Sequence, residues 1–195
     1  MLDFELSPEL QELQIRAQKV AAEGVADYGM HTDSWINGYS KEFSKRLAEE
    51  AWIGMTWPVE YGGGGQSNLA RIIMGEAMIS AGAPIAASWF ADRQMGPALF
   101  TYGTEDQQAE FLPGMLSGET TWCIGMSEPD AGSDLASLKT SAVRNGDMFV
   151  VNGQKIWTSF AADADYCYLI CRTSSDGPPH KGVSELIVPM DLPGI

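Results

Sequence analysis

The chain has 195 residues, 45% of them hydrophobic, and carries 26 acidic against 12 basic residues for a formal net charge of −14. Such acidity disfavours nucleic acid and anionic membranes as partners, although backbone N–H groups can still bind an anionic ligand locally. Three cysteines without a disulfide pattern predict a reducing compartment, and no apolar run reaches the ~20 residues of a membrane span. We therefore expect a cytoplasmic protein with one or two packed cores.

The first 118 residues have the apolar periodicity of an all-α domain. Ser7 and Pro8 form a typical helix start, and Thr104 to Gln107 have the pattern of a capping box. The glycine-rich residues 61–65 favour a loop between helices over a ligand contact. The predicted helices cover residues 8–24, 43–51, 68–80, 85–100 and a last one from 105 that ends near Pro113 or near Ser117.

Asp92, Arg93 and Gln94 interrupt the apolar face of the predicted fourth helix. Three consecutive polar residues at such a place predict either a solvated edge or the lining of a substrate pocket. The residues by themselves leave both alternatives open.

After Gly118 the apolar period changes from helical to alternating, which predicts strands. Asn145-Gly146 lies between two of them and is a hairpin signal. The fold class is therefore α+β, with an N-terminal all-α helical domain at residues 1–118 and an antiparallel, β-barrel-like domain at residues 119–195. The predicted strands cover residues 120–126, 139–144, 147–151, 155–157, 166–172 and 184–189.

Two stretches of the predicted β domain have the composition of a ligand site. In Ile124–Asp134 a strand breaks at Glu128-Pro129, and Gly132 lets the backbone approach a ligand closely. In Asn152–Ser159 a tight turn leads to an aromatic ring and two hydroxyls, which suit a flat cofactor with a polar edge. The alternatives are an ordinary strand-ending turn and a plain core indole at Trp157. Three cysteines are expected to be packing residues rather than metal ligands: Cys123, Cys167 and Cys171.

Four segments together resemble the acyl-CoA dehydrogenase family, in that family's order and spacing. Ile124–Asp134 resembles its flavin-loop signature, a Thr/Ser-Glu-Pro followed by Ala-Gly-Ser-Asp, and Asn152–Ser159 resembles its second flavin strand. Trp57–Gly63 is similar to its Pro-Glu-x-Gly-Gly segment, and Tyr102–Gln107 is similar to its Gly-Thr-Glu-x-Gln helix start. The resemblance covers the family's N-terminal helical and middle β domains and leaves its C-terminal helical domain absent from this chain.

The resemblance implies FAD as the cofactor, whereas the expectation of no metal comes from the residues, since no His or further Cys completes a metal-ligand pattern. Met126 and Ser127 would contact the flavin ring, Trp157 would pack against it, and Ser159 would bond near its reactive nitrogen. Ser133 would contact the CoA side of the substrate, and Arg93 lies on the helix that lines the family's acyl site. The full set implied for the cofactor is Ile124, Met126, Ser127, Gly132, Ser133, Trp157, Thr158 and Ser159, with Thr158 contributing through its backbone.

Four positions depart from the family's usual residues and leave the shape of the substrate open. Ser127 and Ser159 stand where Thr is usual, Ile124 where several members have an aromatic residue, and Phe160 where Asn is frequent. The polar run at residues 92–94 predicts a polar or bulky acyl group, such as a ring-bearing one.

The activity implied by the resemblance is α,β-dehydrogenation of an acyl-CoA to the trans-2-enoyl-CoA, with electrons passing to an electron-transferring flavoprotein. A homo- or hetero-oligomer is implied as well. In the family the carboxylate base lies on the C-terminal domain, so we expect it beyond Ile195 and assign no catalytic residue, Glu128 included. We expect this chain to be a piece of a longer protein, or to be completed by a partner chain, and to be inactive alone.

Two further functions remain open on the same fold. One is a flavin-dependent monooxygenase or nitroalkane oxidase relative. The other is a non-catalytic subunit that pairs with a base-bearing homologue.

Overall fold

The computed structural model describes residues 5–195 and divides into two compact units, one ending at Thr121 and the other comprising Trp122–Ile195. Across this described range no helix is both long and apolar enough to cross a membrane. The helices are α1 Pro8–Tyr28, α2 Lys41–Glu49, α3 Asn68–Ala81, α4 Ala86–Phe90, α5 Gly96–Tyr102 and α6 Glu105–Leu116. The strands are β1 Trp122–Gly125, β2 Ser141–Asn145, β3 Met148–Asn152, β4 Tyr166–Arg172 and β5 Val183–Pro189.

The core of the first unit forms where α1 packs against α3 and α2 closes one side. Ala17 and Ala21 of α1 are fully buried, which lets the helices approach closely. A Cβ at Gly24 would collide with the buried ring of Phe43, so a larger residue here would force that ring to move. The predicted helix start is confirmed, because the Ser7 side chain accepts a hydrogen bond from the Leu10 N–H.

The predicted fourth helix is interrupted, contrary to the expectation of one continuous helix. A π-helical turn, Ala91–Met95, separates α4 from α5, and the Gly96 N–H bonds to the Ala91 carbonyl five residues back. Pro97 has no N–H, and its ring would clash with the carbonyl of Arg93 in a regular α-helix. The wider turn relieves this clash and turns Asp92 inward, where only 7% of its surface is exposed.

The capping box of α6 is confirmed and permits a stability prediction. The Gln107 N–H donates to Thr104 Oγ1 at 3.3 Å, and the Thr104 N–H donates to Gln107 Oε1 at 2.9 Å. Thr104→Ala should lower the free energy of unfolding by about 1 kcal/mol in a urea titration, because one helix N–H loses its acceptor. Thr101→Ala is the control, since that hydroxyl only bonds back to the Pro97 carbonyl. Equal effects of the two substitutions would contradict the cap assignment.

The second unit is an open, mixed sheet built around β4. Strand β1 pairs with β4 in parallel, β5 pairs with β4 antiparallel, and β2 forms an antiparallel hairpin with β3. The hairpin joins the sheet through a parallel contact of Ser141 with Arg172. A helical unit followed by a β unit is confirmed, and so is the hairpin at Asn145-Gly146. The expectation of an antiparallel, barrel-like sheet is wrong in its pairing. The connection between β1 and β4, residues 126–165, places β4 parallel to β1.

The strand predicted at residues 155–157 is also wrong. Trp157 has φ 58° and Phe160 has φ 64°, a left-handed backbone that no β-strand accommodates. Residues 153–165 are instead an irregular loop between β3 and β4.

Candidate functional site

The second unit brings the two predicted ligand-binding stretches side by side. The first site loop, residues 126–134, follows β1, and the second site loop, residues 153–160, follows β3. The Ile156 N–H donates to the Ser127 carbonyl at 2.9 Å, and Lys155 Nζ donates to the Met126 carbonyl at 2.9 Å. Residues 29 positions apart in sequence therefore share one local site.

Glu128 anchors the first site loop. It closes a tight turn with Ala131, where the two residues exchange backbone hydrogen bonds of 2.8 and 3.2 Å. Its buried carboxylate accepts the N–H groups of Lys139 at 2.6 Å and Thr140 at 2.8 Å, and Lys155 Nζ at 2.9 Å. Burial raises the pKa of Glu128, but the hydrogen bonds from Thr140, Lys139 and Lys155 outweigh it and lower the pKa to about 2.

A carboxylate held in this way is a poor proton acceptor at neutral pH, which agrees with leaving Glu128 unassigned as a base. Lys155 is the residue that the sequence reasoning missed. Its ion pair with Glu128 leaves only 10% of the Lys155 side chain and 5% of the Glu128 side chain exposed. The sequence did contain a signal, because Lys155 lies between Gly153 and Trp157 in one stretch and Glu128 lies in the other.

Trp157 is the most exposed large aromatic side chain among residues 5–195, with 87% of its surface accessible. The alternative of a plain core indole is therefore wrong. Its left-handed backbone costs of order 1–3 kcal/mol. Contacts of the surrounding loop must therefore stabilise this conformation. Next to it, the Thr158 hydroxyl is buried without a hydrogen-bond partner. A buried hydroxyl that lacks a partner is unfavourable until a ligand atom bonds to it.

The other predicted cofactor residues lie around these two features. Met126 is 42% exposed, and Ser127 and Ser159 are half-buried. Ile124 is half-buried in β1, whereas Gly132 and Ser133 are exposed, and a Cβ on Gly132 would meet no atom within 4 Å. The individual contacts of all eight residues with a cofactor stay predictions.

An exposed indole plane beside an unpartnered hydroxyl fits a flat ring system with a polar edge. The two loops are held together by one main-chain hydrogen bond and by the Lys155 ammonium bonded to the Met126 carbonyl, which would keep such a ring in a fixed orientation. The described residues contain no group of three or more His, Cys, Asp or Glu side chains that would hold a metal ion.

Arg93 belongs to the first unit and lies in the π-helical turn. Its guanidinium carbon lies 3.9 Å from the centre of the Trp89 ring, and its Nε is buried without a partner. Burial lowers the pKa of Arg93. The charge of Asp92 raises this pKa, and the charge of Arg71 lowers it further. Gln94 is exposed, but Asp92 is buried and accepts the Gly54 N–H at 2.7 Å.

The solvated-edge alternative is therefore wrong for Asp92, and Arg93 also turns partly inward. Both line a cavity of about 20 Å³ together with Ser88, Trp52 and Met74. That volume holds about one water molecule.

The three cysteines are free and buried. Cys123 and Cys167 face each other across β1 and β4, and the hydrogen bond between them, with burial, raises the pKa of Cys123. They act as packing residues of the sheet, as expected.

Comparison with known proteins covers almost the whole chain. Residues 7–119 match the family model "Acyl-CoA dehydrogenase, N-terminal domain", and residues 123–195 match "Acyl-CoA dehydrogenase, middle domain". The acyl-CoA dehydrogenase IpdE1 of Mycobacterium tuberculosis is 41% identical over 155 residues, which is 80% of this chain and 40% of the relative.

Two solved structures have the same fold over nearly all of the chain. The Tcur3481-Tcur3483 steroid ACAD gives a TM-score of 0.90 at 39% identity, over 99% of this chain and 50% of that one. The ChsE4-ChsE5 complex from Mycobacterium tuberculosis gives a TM-score of 0.86 at 35% identity, over 97% of this chain and 49% of that one. The chain thus spans half or less of the length of these relatives.

Proposed function

Because the chain belongs to the acyl-CoA dehydrogenase family, whose members use FAD, we propose that its full protein oxidises an acyl-CoA thioester to the trans-2-enoyl-CoA. The observation that carries this proposal is the exposed Trp157 indole beside the buried, unpartnered Thr158 hydroxyl. Both features are explained by one flat ligand with a polar edge. We take residues 1–118 and 119–195 as the two domains that serve this function.

In the proposed site the chain's residues hold and orient FAD, which supplies the hydride acceptor when bound. Trp157 packs on the ring, and the hydroxyls of Thr158, Ser127 and Ser159 offer hydrogen bonds at its edge. Ile124, Met126, Gly132 and Ser133 complete the contact surface, and Ser133 also meets the CoA side of the substrate. Glu128 is fully engaged by its own donors, so the base that removes the α-proton is proposed to lie beyond Ile195.

We propose a ring-bearing acyl group as the substrate class. The relative with a TM-score of 0.90 is a steroid ACAD. In this chain Arg93 has a buried Nε–H without a partner beside an aromatic and aliphatic lining. The cavity has room for about one water molecule, so a single oxygen atom of the acyl group, rather than its ring, would enter it and satisfy that donor.

The test of the function uses the full-length protein. We expect it to purify with FAD, and an acyl-CoA added without oxygen should bleach the flavin absorbance. A protein that neither carries nor takes up FAD would overturn the proposal. Oxygen consumption without bleaching by any acyl-CoA would instead favour the monooxygenase or nitroalkane oxidase reaction.

A second candidate is a subunit whose partner supplies the missing base, with electrons passing to an electron-transferring flavoprotein in either case. Two structural relatives are two-protein assemblies, ChsE4-ChsE5 and Tcur3481-Tcur3483. Co-expression with each homologue from the same genome tests it. Turnover by the complex and by neither protein alone supports this candidate, and turnover by the full-length protein alone contradicts it.

Arg93→Ala should lower kcat/KM for ring-bearing acyl-CoA by about 10-fold or more, because a hydrogen bond from a charged donor is worth ~1.5–3 kcal/mol. Activity on short, unbranched acyl-CoA should stay near that of the wild type. Gln94→Ala is the matched control, since Gln94 is exposed on the same turn. An unchanged ratio between the two substrate classes would remove Arg93 from the substrate site.

A further inference from the structure

The buried ion pair between Lys155 and Glu128 links three separate segments of the second unit. Glu128 Oε1 accepts Lys155 Nζ at 2.9 Å and the Thr140 N–H at 2.8 Å, while Oε2 accepts the Lys139 N–H at 2.6 Å. Lys155 Nζ also donates to the Met126 carbonyl at 2.9 Å. One pair of side chains therefore fixes the first site loop, the second site loop and the segment that enters β2.

The contacts of this pair lie next to the residues proposed to meet the flavin ring. Lys155 is two residues before Trp157, and the carbonyl it binds belongs to Met126. The Ile156 N–H, between Lys155 and Trp157, bonds to the Ser127 carbonyl. A shift of the Lys155 ammonium would thus move both loops relative to each other.

Stability alone is a weak explanation for such a pair. A buried ion pair loses hydration on both partners, and apolar residues of similar volume often stabilise a fold as well. The pair has instead what a positioning role requires, which is low exposure and several donors and acceptors in fixed directions. The nearby ion pair of Lys139 with Asp130 differs, because those side chains are 76% and 73% exposed.

We propose that Lys155 is a positioning residue which, through Glu128 and the Met126 carbonyl, holds the two site loops at the spacing that the flavin ring needs. This inference rests on the proposed FAD site and goes beyond it by giving a role to a side chain that does not itself touch the ring.

The test compares Lys155→Met with Lys139→Met in the full-length protein, together with its partner chain if turnover requires one. Lys155→Met should raise the dissociation constant for FAD about 10-fold or more, measured by quenching of flavin fluorescence. At saturating FAD, the visible absorption bands of the bound flavin should also change. Lys155→Arg should recover part of both properties, whereas Lys139→Met should behave as the wild type.

Wild-type FAD affinity and an unchanged flavin spectrum in Lys155→Met would overturn the positioning role while leaving the proposed function intact. If Lys155→Met does not fold, Glu128→Gln takes its place, since it keeps the shape and one oxygen acceptor but removes the charge. Glu128→Gln should weaken FAD binding in the same direction, and wild-type binding would overturn the proposal. A wild-type protein that does not bind FAD would overturn the proposed function and this inference together.

Discussion

Replacing Trp57 by alanine is expected to lower the free energy of unfolding by about 4 kcal/mol, the largest effect among the substitutions considered. Trp57 is 1% exposed, and its Nε1 donates to the Asp92 carbonyl at 2.8 Å. Its ring lies edge-on to Phe100 at 5.8 Å and covers Gly96, where no Cβ fits. The substitution removes this packing and leaves a buried carbonyl of the π-helical turn without its donor.

The measurement is a urea titration of the wild type, Trp57→Ala and Trp57→Phe. Phenylalanine keeps most of the packing but loses the Nε1 donor, so it should cost about 1–3 kcal/mol. Trp157→Ala, measured without bound FAD, is the exposed control and should stay within about 0.5 kcal/mol of the wild type. A loss below about 1 kcal/mol in Trp57→Ala would contradict the central packing role of this indole.

Acidification is expected to remove about 3 kcal/mol of stability through Glu128 alone. The pKa of Glu128 falls from an ordinary 4.5 to about 2 in the folded protein. A lowered folded-state pKa means that the contribution is fully present above the unfolded pKa and is lost as the pH falls through the folded one. The difference of about 2.5 units corresponds to about 3 kcal/mol at ~1.4 kcal/mol per unit.

The experiment follows the thermal unfolding of the wild type and of Glu128→Gln from about pH 6 to about pH 2. Other carboxylates titrate in the same range, so the quantity compared is the difference in the free energy of unfolding between the two proteins. This difference should narrow by about 3 kcal/mol as the pH falls, because only the wild type has the Glu128 carboxylate to lose. Asp130→Asn is the control substitution, because the Asp130 side chain is 73% exposed. A constant difference for Glu128→Gln would contradict the network around its carboxylate.

Local signals in the sequence predicted the ends of elements well. Ser7, Thr104 and Asn145-Gly146 each determine a cap or a turn within four residues of themselves, and the structure confirms them. The mixed pairing of the sheet was not predictable in this way. Alternating residues indicate a strand and its buried face, but they carry no signal for whether its neighbour runs parallel.

The candidate site shows the same division between local and long-range information. The composition of residues 152–159 indicated a ligand site with an available aromatic plane, and Trp157 is indeed exposed. The partner of Glu128 was not predictable, because Lys155 is 27 positions away and its contact depends on the folded loops. The strand expected at 155–157 failed for a related reason, since the left-handed residue there is Trp157 rather than the glycine that usually marks such a backbone.

Strand β3 has a consequence for handling the isolated β unit. Within the described sheet it bonds to β2 alone, and its side chains from Met148 to Val151 are all at least 39% exposed. This run has no charged residue and no proline, the features that natural edge strands use against joining another chain. A preparation in which nothing covers β3 would therefore be prone to aggregate by edge-to-edge strand addition, and a lysine placed in this run would act as a gatekeeper.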